Sequence, residues 1–289
     1  MLAATTETAI GKSAVRTSLL FERAVRGTVI RRDQLTFDTR FAAAAGGKPE
    51  PVGHLFMMLT GRFVSDRGDV VAGPVAFMLG DDEWERPRKD SRTFRTDGPI
   101  VEVLQLRVAK EHIRVPIGLA AGALALTPAC WDATAAMLGG VPDARRLAAL
   151  IDALATSGVF AKEMATSVVE EEPERFRRLW EALQPLYQTY GATTSLKQLA
   201  SSLGMSMRQV GRDAKELSAA FGIGGGYRDA LLMMRLRMAV LLLSAPDASV
   251  SDVAKLVGYG SPIAMARAFR DAKLPAPSAI QTELAANRI

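Results

Sequence analysis

The sequence has very little cysteine and histidine: Cys130 is its one cysteine, and His54 and His112 are its two histidines. A lone cysteine cannot close an intrachain disulfide or supply the clustered thiolates of a structural zinc site. The two histidines lie far apart, and no His-x-His motif occurs. We therefore interpret both as structural or surface groups and expect no metal and no other cofactor.

Long apolar segments are also missing. The longest run without a charged residue spans residues 115–131, and its 17 residues include two prolines and two glycines. Such a run is too short and too interrupted to cross a membrane. No basic segment followed by an apolar core stands at the N-terminus, so we expect no signal peptide. We expect a cytoplasmic protein that does not contact a membrane.

Signatures of catalysis are missing as well. No nucleophile–base constellation appears, and the glycine-rich stretch 222–226 lacks the Lys-Ser/Thr of a phosphate-binding loop. The charged residues 81–90 either border a ligand pocket or form a solvated loop. We assign no catalytic residue and no ligand-binding residue, and we do not expect an enzyme.

Positive charge is concentrated in the last third of the chain. Residues 191–289 contain four Lys and eight Arg against seven acidic residues, whereas residues 1–190 contain 24 residues of each sign. The formal net charge of +5 therefore belongs to the C-terminal part. A basic domain beside a neutral one is typical of proteins that bind polyanions, although a solvated helical surface has a similar composition.

Two apolar patterns precede the basic third. Short apolar runs separated by Gly, Pro and Asp between residues 27 and 114 predict the strands of a β-barrel or sandwich. One of these strands is indicated by the alternating residues Leu35, Phe37, Thr39 and Phe41. Two apolar helical faces follow, one of them Leu147, Leu150, Ile151 and Leu154, the other Phe176, Leu179, Trp180 and Leu183. We expect Pro185 to kink or end the second helix. The two faces either pack on the barrel or form a dimer seam.

The last hundred residues contain an internal repeat. The pattern Leu-x-x-Leu-Ala-x-x-Leu-Gly of residues 196–204 recurs as Val-x-x-Val-Ala-x-x-Val-Gly in residues 250–258. These apolar positions bury one face of a short helix, and the glycine supplies a turn with positive φ. Ser206 and Ser261 follow where each can cap a second helix. The repeat predicts two helix-turn-helix units, a motif whose second helix enters the DNA major groove.

Residues 195–281, roughly 30% of the chain, resemble the DNA-binding domain of AraC/XylS-type transcription regulators. The resemblance rests on SLKQLASSLGMS, SVSDVAKLVGYGSP, ARAFR, the run Arg235–Leu243, and Pro277. It implies two helix-turn-helix units joined by a long helix over 227–244. Ala214, Lys273 and Leu274 depart from the family pattern, in which a Phe, an aromatic residue and a glycine are usual at these positions.

The preceding residues are similar in architecture to the cupin-like sensing domain and linker helices that many family members carry. The resemblance thus implies an α+β protein with a cupin-like β-barrel or sandwich domain at 1–130, a helical linker or dimerisation region at 131–190, and a DNA-binding domain at 191–289. It implies a ligand-responsive transcription regulator, more usually an activator. Its partners would be double-stranded DNA, a small-molecule effector, a second copy of the chain and, for an activator, RNA polymerase.

Two alternatives stay open. In the first, the protein binds DNA, and its β domain serves only dimerisation or a protein partner. In the second, it is an enzyme with an active site in the barrel and an accessory helical domain.

Two arginines of the first unit are suited to base reading. Arg208 and Arg212 can donate two hydrogen bonds to guanine, and Gln209 can pair with adenine. For Arg212, an intramolecular ion pair with Asp213 or Glu216 is the alternative.

The second unit offers fewer donors. Arg267 and Arg270 can form strong hydrogen bonds, whereas Ile263 and Ala264 can contact only thymine methyl groups. We therefore expect the first unit to read bases and the second to recognise phosphates and DNA shape. The predicted DNA contacts are Ser206, Arg208, Gln209, Arg212, Ser261, Ile263, Ala264, Arg267 and Arg270.

Overall fold

The structure of the chain is a computed structural model that describes residues 2–21, 25–33, 37–38, 52–65, 68–80, 94–169, 172–189, 194–220, 226–245 and 247–286. It has the α+β architecture that the sequence predicts, with strands in the N-terminal part and helices after them. The charged segment 81–90 and the glycines 222–225 lie outside the described residues, as do Leu35, Thr39 and Phe41 of the first predicted strand.

The described strands form one antiparallel sheet. They are β1 (Leu2–Ile10), β2 (Ser13–Phe21), β3 (Val25–Asp33), β4 (Phe37–Asp38), β5 (Val52–Ser65), β6 (Val70–Ala72), β7 (Val75–Leu79) and β8 (Phe94–Ala109). Their order is β1-β2-β3-β8-β5-β6, with β4 paired to β8 and β7 paired to β5. The apolar runs over 54–64, 70–79 and 100–108 are therefore strands, and Gly73-Pro74 divides the second run between β6 and β7.

One face of this sheet is covered by the first two α-helices, α1 (Pro128–Gly139) and α2 (Ala144–Thr156). The predicted stripe of α2 is fully buried there, against Leu55, Met57 and Leu104 of the sheet. The opposite face carries a second apolar cluster that includes Phe56, Phe77 and Val103. The stripe of α2 thus packs on the sheet, which is one of the two arrangements that the sequence allows.

Helix α3 (Glu174–Gln188) differs from both expectations for its apolar face. The predicted face packs between the start of β1 and the first unit, formed by α4 (Leu196–Leu203) and α5 (Met207–Ala220). Trp180 Nε1 also donates a hydrogen bond to the Ala3 carbonyl at 3.2 Å. Because this face is covered within the chain, it is not exposed as a dimer seam.

The proline within α3 does not end the helix. Helical structure continues past Pro185 to Gln188, and the Thr189 N–H donates to the Pro185 carbonyl at 3.0 Å. Leu183 and Leu186, on either side of the proline, are both buried in the same cluster. Burial of this last turn offsets the loss of one backbone donor so close to the C-terminus.

The second unit has its own core. The unit is formed by α7 (Val250–Leu256) and α8 (Pro262–Asp271), and its core also includes residues of α6 (Tyr227–Leu243) and α9 (Pro277–Ala286). The long helix α6 buries residues on most of its surface, which explains why its sequence is apolar almost all round. Phe269 of α8 and Ile280 of α9 pack against it, both with no exposed surface.

The hairpin formed by β1 and β2 reaches both units. Leu2 at its open end joins the cluster of the first unit, whereas Ile10 and Val15 near its turn are buried in the core of the second. The turn comprises Gly11 and Lys12, and Gly11 has a φ of 57°. A Cβ atom at Gly11 would lie 2.7 Å from Asp247 Cβ, so only glycine fits this contact.

Replacing Gly11 with Ala should destabilise the protein by about 2–3 kcal/mol, because it adds a clash with Asp247 to the cost of a left-handed L-residue. Gly68→Ala is the matched control, since Gly68 also has a positive φ of 84° but no atom within 4 Å of its Cβ position. We expect about 1–2 kcal/mol for the control. Urea denaturation measures both losses. Equal losses would contradict the contact between the hairpin and Asp247.

The end of α8 places a lysine in the conformation that usually takes glycine. Lys273 has a φ of 60°, and the N–H of the next residue, Leu274, donates to the Phe269 carbonyl at 2.9 Å. This is the Schellman arrangement, in which the left-handed residue terminates the helix. Leu274 packs against the core of the second unit. The left-handed residue is thus Lys273, one position before the one at which the family resemblance implies a glycine.

Lys273→Gly should therefore stabilise the protein by about 0.5–1 kcal/mol, because it removes the strain of a left-handed L-residue. Lys273→Ala deletes the same long side chain while keeping a Cβ atom, and it should give no comparable gain. Thermal denaturation of the two variants and the parent protein compares them. A gain of similar size in both variants would assign the effect to the lysine side chain instead of the backbone.

Candidate nucleic-acid interface

Local hydrogen bonds shape the first unit as its sequence predicts. Ser195 and Gln198 form a reciprocal capping box at the start of α4, and Gly204 has a φ of 63° in the turn after it. The Ser206 hydroxyl oxygen then accepts a hydrogen bond from the Gln209 N–H at 3.2 Å. Such caps satisfy backbone donors that would otherwise lack partners, and they fix where α5 begins.

The second unit repeats this arrangement. Ser249 accepts a hydrogen bond from the Asp252 N–H at 3.0 Å, and Gly258 has a φ of 83°. Ser261 caps α8 by accepting from the Ala264 N–H at 3.1 Å. The predicted repeat is therefore present in three dimensions: each unit is a capped helix, a glycine turn and a second capped helix.

Burial determines which side of each second helix faces outward. Val210 and Ala214 of α5 are buried, as are the equivalent residues Met265 and Phe269 of α8. The opposite sides hold the predicted contact residues, and Arg208, Arg212, Ile263, Arg267 and Arg270 are all exposed. Ile263 is the most exposed large apolar side chain among the described residues, at 66%.

The polar residues of α5 form a connected set of hydrogen bonds. Gln209 Nε2 donates to Asp213 Oδ1 at 2.8 Å, and Gln209 Oε1 accepts a hydrogen bond from Arg212 Nη2. Both ends of the Gln209 amide are therefore engaged within the helix. Bidentate pairing of Gln209 with adenine would require both bonds to break, whereas Arg212 keeps other guanidinium donors for guanine.

Asp213 and Glu216 have a cation partner that the sequence did not indicate. Arg175 of α3 places Nη2 2.8 Å from Glu216 Oε2 and Nη1 3.9 Å from Asp213 Oδ1. The sequence left open an ion pair of Arg212 with one of these carboxylates. In the structure Arg175 occupies both, and Arg212 contacts Gln209 instead.

The second unit presents a simpler surface. Arg267 forms no ion pair within the described part of the chain, whereas Arg270 Nε lies 3.7 Å from Asp271 Oδ1. Both partners of that pair are largely exposed, and pairs of this kind hold a side chain only weakly. Ala264 is half-buried beside Ile263. Two exposed cations, Arg267 and Arg270, and the apolar side chain of Ile263 therefore lie on the outer face of α8.

Two tyrosines lie behind the units and join their helices. Tyr227 at the start of α6 donates a hydrogen bond to the Thr194 carbonyl just before α4. Burial raises the pKa of Tyr227 and of Tyr259, and the nearby Arg235 guanidinium partly opposes both shifts. Neutral hydroxyl groups therefore sit in the packing between α6 and the two units.

The histidines occupy different settings in the β domain. His54 is fully buried on β5, and its Nδ1 lies 2.7 Å from Gln105 Nε2 on β8. His112 is half-buried, and its Nε2 lies 3.6 Å from a Glu111 carboxylate oxygen. Among the described residues, no group of three His, Cys, Asp or Glu side chains could hold a metal ion. No helix in those residues is long and apolar enough to cross a membrane.

Comparison with known proteins gives weak likenesses. No family model and no curated protein matches the chain. A fatty-acid-bound structure of ToxT from Vibrio cholerae has 9% identity, a TM-score of 0.39, and coverage of 93% of this chain and 99% of its own. The AraC-like transcriptional activator CuxR has 12% identity, a TM-score of 0.30, and coverage of 89% and 92%.

A DNA-binding transcriptional dual regulator from Escherichia coli K-12 has 21% identity and a TM-score of 0.33. It covers 41% of this chain and 98% of its own length. With TM-scores of 0.30–0.39, these likenesses do not establish a shared fold or function for this chain. Any functional assignment must come from its own residues.

Proposed function

We propose that the chain is a sequence-specific DNA-binding transcription regulator of the AraC/XylS type, with α5 and α8 as its recognition helices. One observation carries the proposal: two helix pairs with the same caps, glycine turns and buried positions each expose arginines on the second helix. The excess of basic residues after residue 190 favours a polyanion as the ligand of this surface. Each of these exposed second helices is the element that enters the major groove in helix-turn-helix proteins.

The two units have different roles in this proposal. Arg208 and Arg212 of α5 hydrogen-bond to base edges, with Gln209 supporting Arg212. Arg267 and Arg270 of α8 contact phosphates, and Ile263 and Ala264 meet thymine methyl groups. The capping hydroxyls of Ser206 and Ser261 accept from backbone N–H groups and retain a proton that can be donated to a phosphate oxygen.

A small-molecule effector is the proposed regulator of DNA binding. The fully buried His54 and the half-buried Gln105 lie beside the apolar cluster of Phe56 and Phe77, and a few polar groups beside apolar ones are common in ligand sites. An effector changes activity only if it binds one arrangement of the chain more tightly than another. The β1–β2 hairpin, which contacts both units, is the physical connection through which occupancy of the sheet would alter them.

A β domain that serves only association is the second candidate. It is favoured by β6, whose residues Val70 and Val71 are 52% and 37% exposed at the end of the sheet. Exposed apolar strands at a sheet edge are templates for pairing with another chain. A second copy of the chain is the partner expected there, and RNA polymerase is a partner only if the protein activates transcription.

Arg208→Ala should relax base preference at one defined position of the binding site. The loss of a bidentate contact should reduce discrimination at that base pair about tenfold, while preferences elsewhere stay unchanged. The measurement is selection of bound sites from a random double-stranded DNA library by the full chain, followed by Kd values for single base-pair variants. Failure of the parent protein to select any sequence would contradict the proposed function.

Arg267→Ala provides the matched comparison, because it removes the same charged side chain from the second recognition helix. It should weaken binding to all sites alike and reduce the slope of log Kd against log salt by about one unit. A change confined to one base pair would show that Arg267 reads a base. Uniform weakening by Arg208→Ala would likewise make Arg208 a phosphate contact.

The effector hypothesis predicts stabilisation of the full chain by a small molecule. At a concentration of 100 Kd, a ligand of the folded state adds about 2.7 kcal/mol to its stability, which a thermal-shift screen detects. An Arg208→Ala, Arg212→Ala double variant should retain this shift, because the ligand site lies in the β domain. If a broad screen yields no stabilising compound, the association-only function is favoured.

A further inference from the structure

We infer that Arg175 of α3 is a positioning residue for base recognition, because it pairs with Glu216, which would otherwise draw Arg212 away from DNA, and with Asp213, which holds Gln209. The inference rests on the proposed function, since it concerns how the first unit selects its site. Arg175 is not among the residues predicted to contact DNA. Its effect would be exerted through Asp213, Gln209 and Glu216.

The contacts form a continuous path from α3 to the outer side of α5. Arg175 bridges Glu216 at 2.8 Å and Asp213 at 3.9 Å. The Asp213 oxygen that faces Arg175 also accepts the 2.8 Å hydrogen bond from Gln209, and Gln209 in turn accepts a hydrogen bond from Arg212. Two helices that are distant in sequence are thus joined through five side chains.

Asp213 is the most deeply buried of the charged side chains in this set of contacts. Its side chain is 3% exposed, whereas that of Arg175 is 52% exposed. A carboxylate so deeply buried requires hydrogen bonds and a cation to compensate for lost hydration. Arg175 is itself held in place, because its guanidinium carbon lies 4.7 Å from the centroid of the Phe176 ring.

The orientation of the Gln209 amide follows from this arrangement. Asp213 accepts from the Nε2 end, so the Oε1 end is turned toward Arg212. An amide rotated by 180° would direct its donors at a cation that accepts no hydrogen bond. The guanidinium of Arg212 is thereby supported from within the helix, and its remaining donors are available to a base.

Without Arg175, Glu216 would lose its cation. Arg212 lies four residues before Glu216, and oppositely charged side chains at this spacing meet on the helix surface. Arg212 would then fold back along α5 toward Glu216. Asp213 is a poorer competitor, because adjacent residues on a helix point in different directions. In the structure Glu216 instead pairs with Arg175 of α3, so Arg212 is not drawn toward it.

The test uses Arg175→Ala in the full chain, with Arg177→Ala as the matched control. Arg177 lies on the same helix and pairs with Glu174 of that helix, so its removal deletes an equal charge without touching α5. Discrimination is the ratio of Kd values for the selected site and its variants at the base pair assigned by Arg212→Ala. Arg175→Ala should reduce this ratio about three- to tenfold, and Arg177→Ala should leave it unchanged.

A second variant distinguishes positioning from simple support of the fold. Glu216→Gln removes the charge that would capture Arg212, so the double variant Arg175→Ala, Glu216→Gln should recover most of the lost discrimination. The thermal midpoint of each variant verifies that it is folded. A general loss of stability would not be reversed by a change at Glu216.

The inference is overturned if Arg175→Ala and Arg177→Ala have the same effect, or if Glu216→Gln restores nothing. In that case the inference about Arg175 is wrong while the proposed function stands, provided that the parent protein selects a DNA site and that Arg212→Ala lowers discrimination at one base pair of that site. If the parent protein selects no sequence from the random library, the proposed function fails and this inference fails with it.

Discussion

The size of a helix-turn-helix unit is the constraint on which this structure depends. A pair of short helices buries one face of each and cannot form a stable core alone, so every unit needs a further surface to cover it. The first unit is covered by α3 and the start of β1. The second is covered by α6, α9 and the turn of the β1–β2 hairpin. The sides left uncovered are those that hold the exposed arginines.

Because β1 and β2 of the β domain cover parts of both units, the proposed effector site and the proposed DNA-contacting helices share structural elements. The hairpin is part of the sheet at β3 and part of both helical cores at its two ends. A displacement of the sheet would therefore move apolar side chains that are buried in both units. Packed cores switch between discrete arrangements more readily than they deform, and the proposed response to an effector requires such a switch.

The parts of the fold that the sequence predicted are those specified by local contacts. Caps at Ser206 and Ser261, turns at Gly204 and Gly258, and the stripe of α2 each involve residues close together in the chain. The missed parts depend on contacts between distant segments. The apolar stripe of α3 identifies its buried side, but it does not identify the elements that this side packs against. The contact of Arg175 with Asp213 joins residues far apart in the sequence, and no sequence pattern predicts it.

The β1–β2 hairpin was missed for a different reason. Thr6, Ser13, Thr17 and Ser18 are buried in it, so apolar and polar residues do not alternate as they do in a half-buried strand. One pair of hydroxyl groups in the hairpin, those of Thr5 and Ser18, shares a hydrogen bond of 2.8 Å. Alternation of apolar and polar residues therefore does not predict a strand whose buried side chains are in large part those of Ser and Thr.

The difference between Ala214 and Phe269 explains why only the first unit involves α3. Phe269 fills the core of the second unit with its own ring. The equivalent alanine cannot do this, and Trp180 and Leu183 of α3 share its cluster instead. Helix α3 is thereby held against α5, close enough for Arg175 to meet Asp213 and Glu216. The smaller core residue of the first repeat thus allows a polar contact between α3 and α5, whereas α8 of the second repeat has no equivalent contact among the described residues.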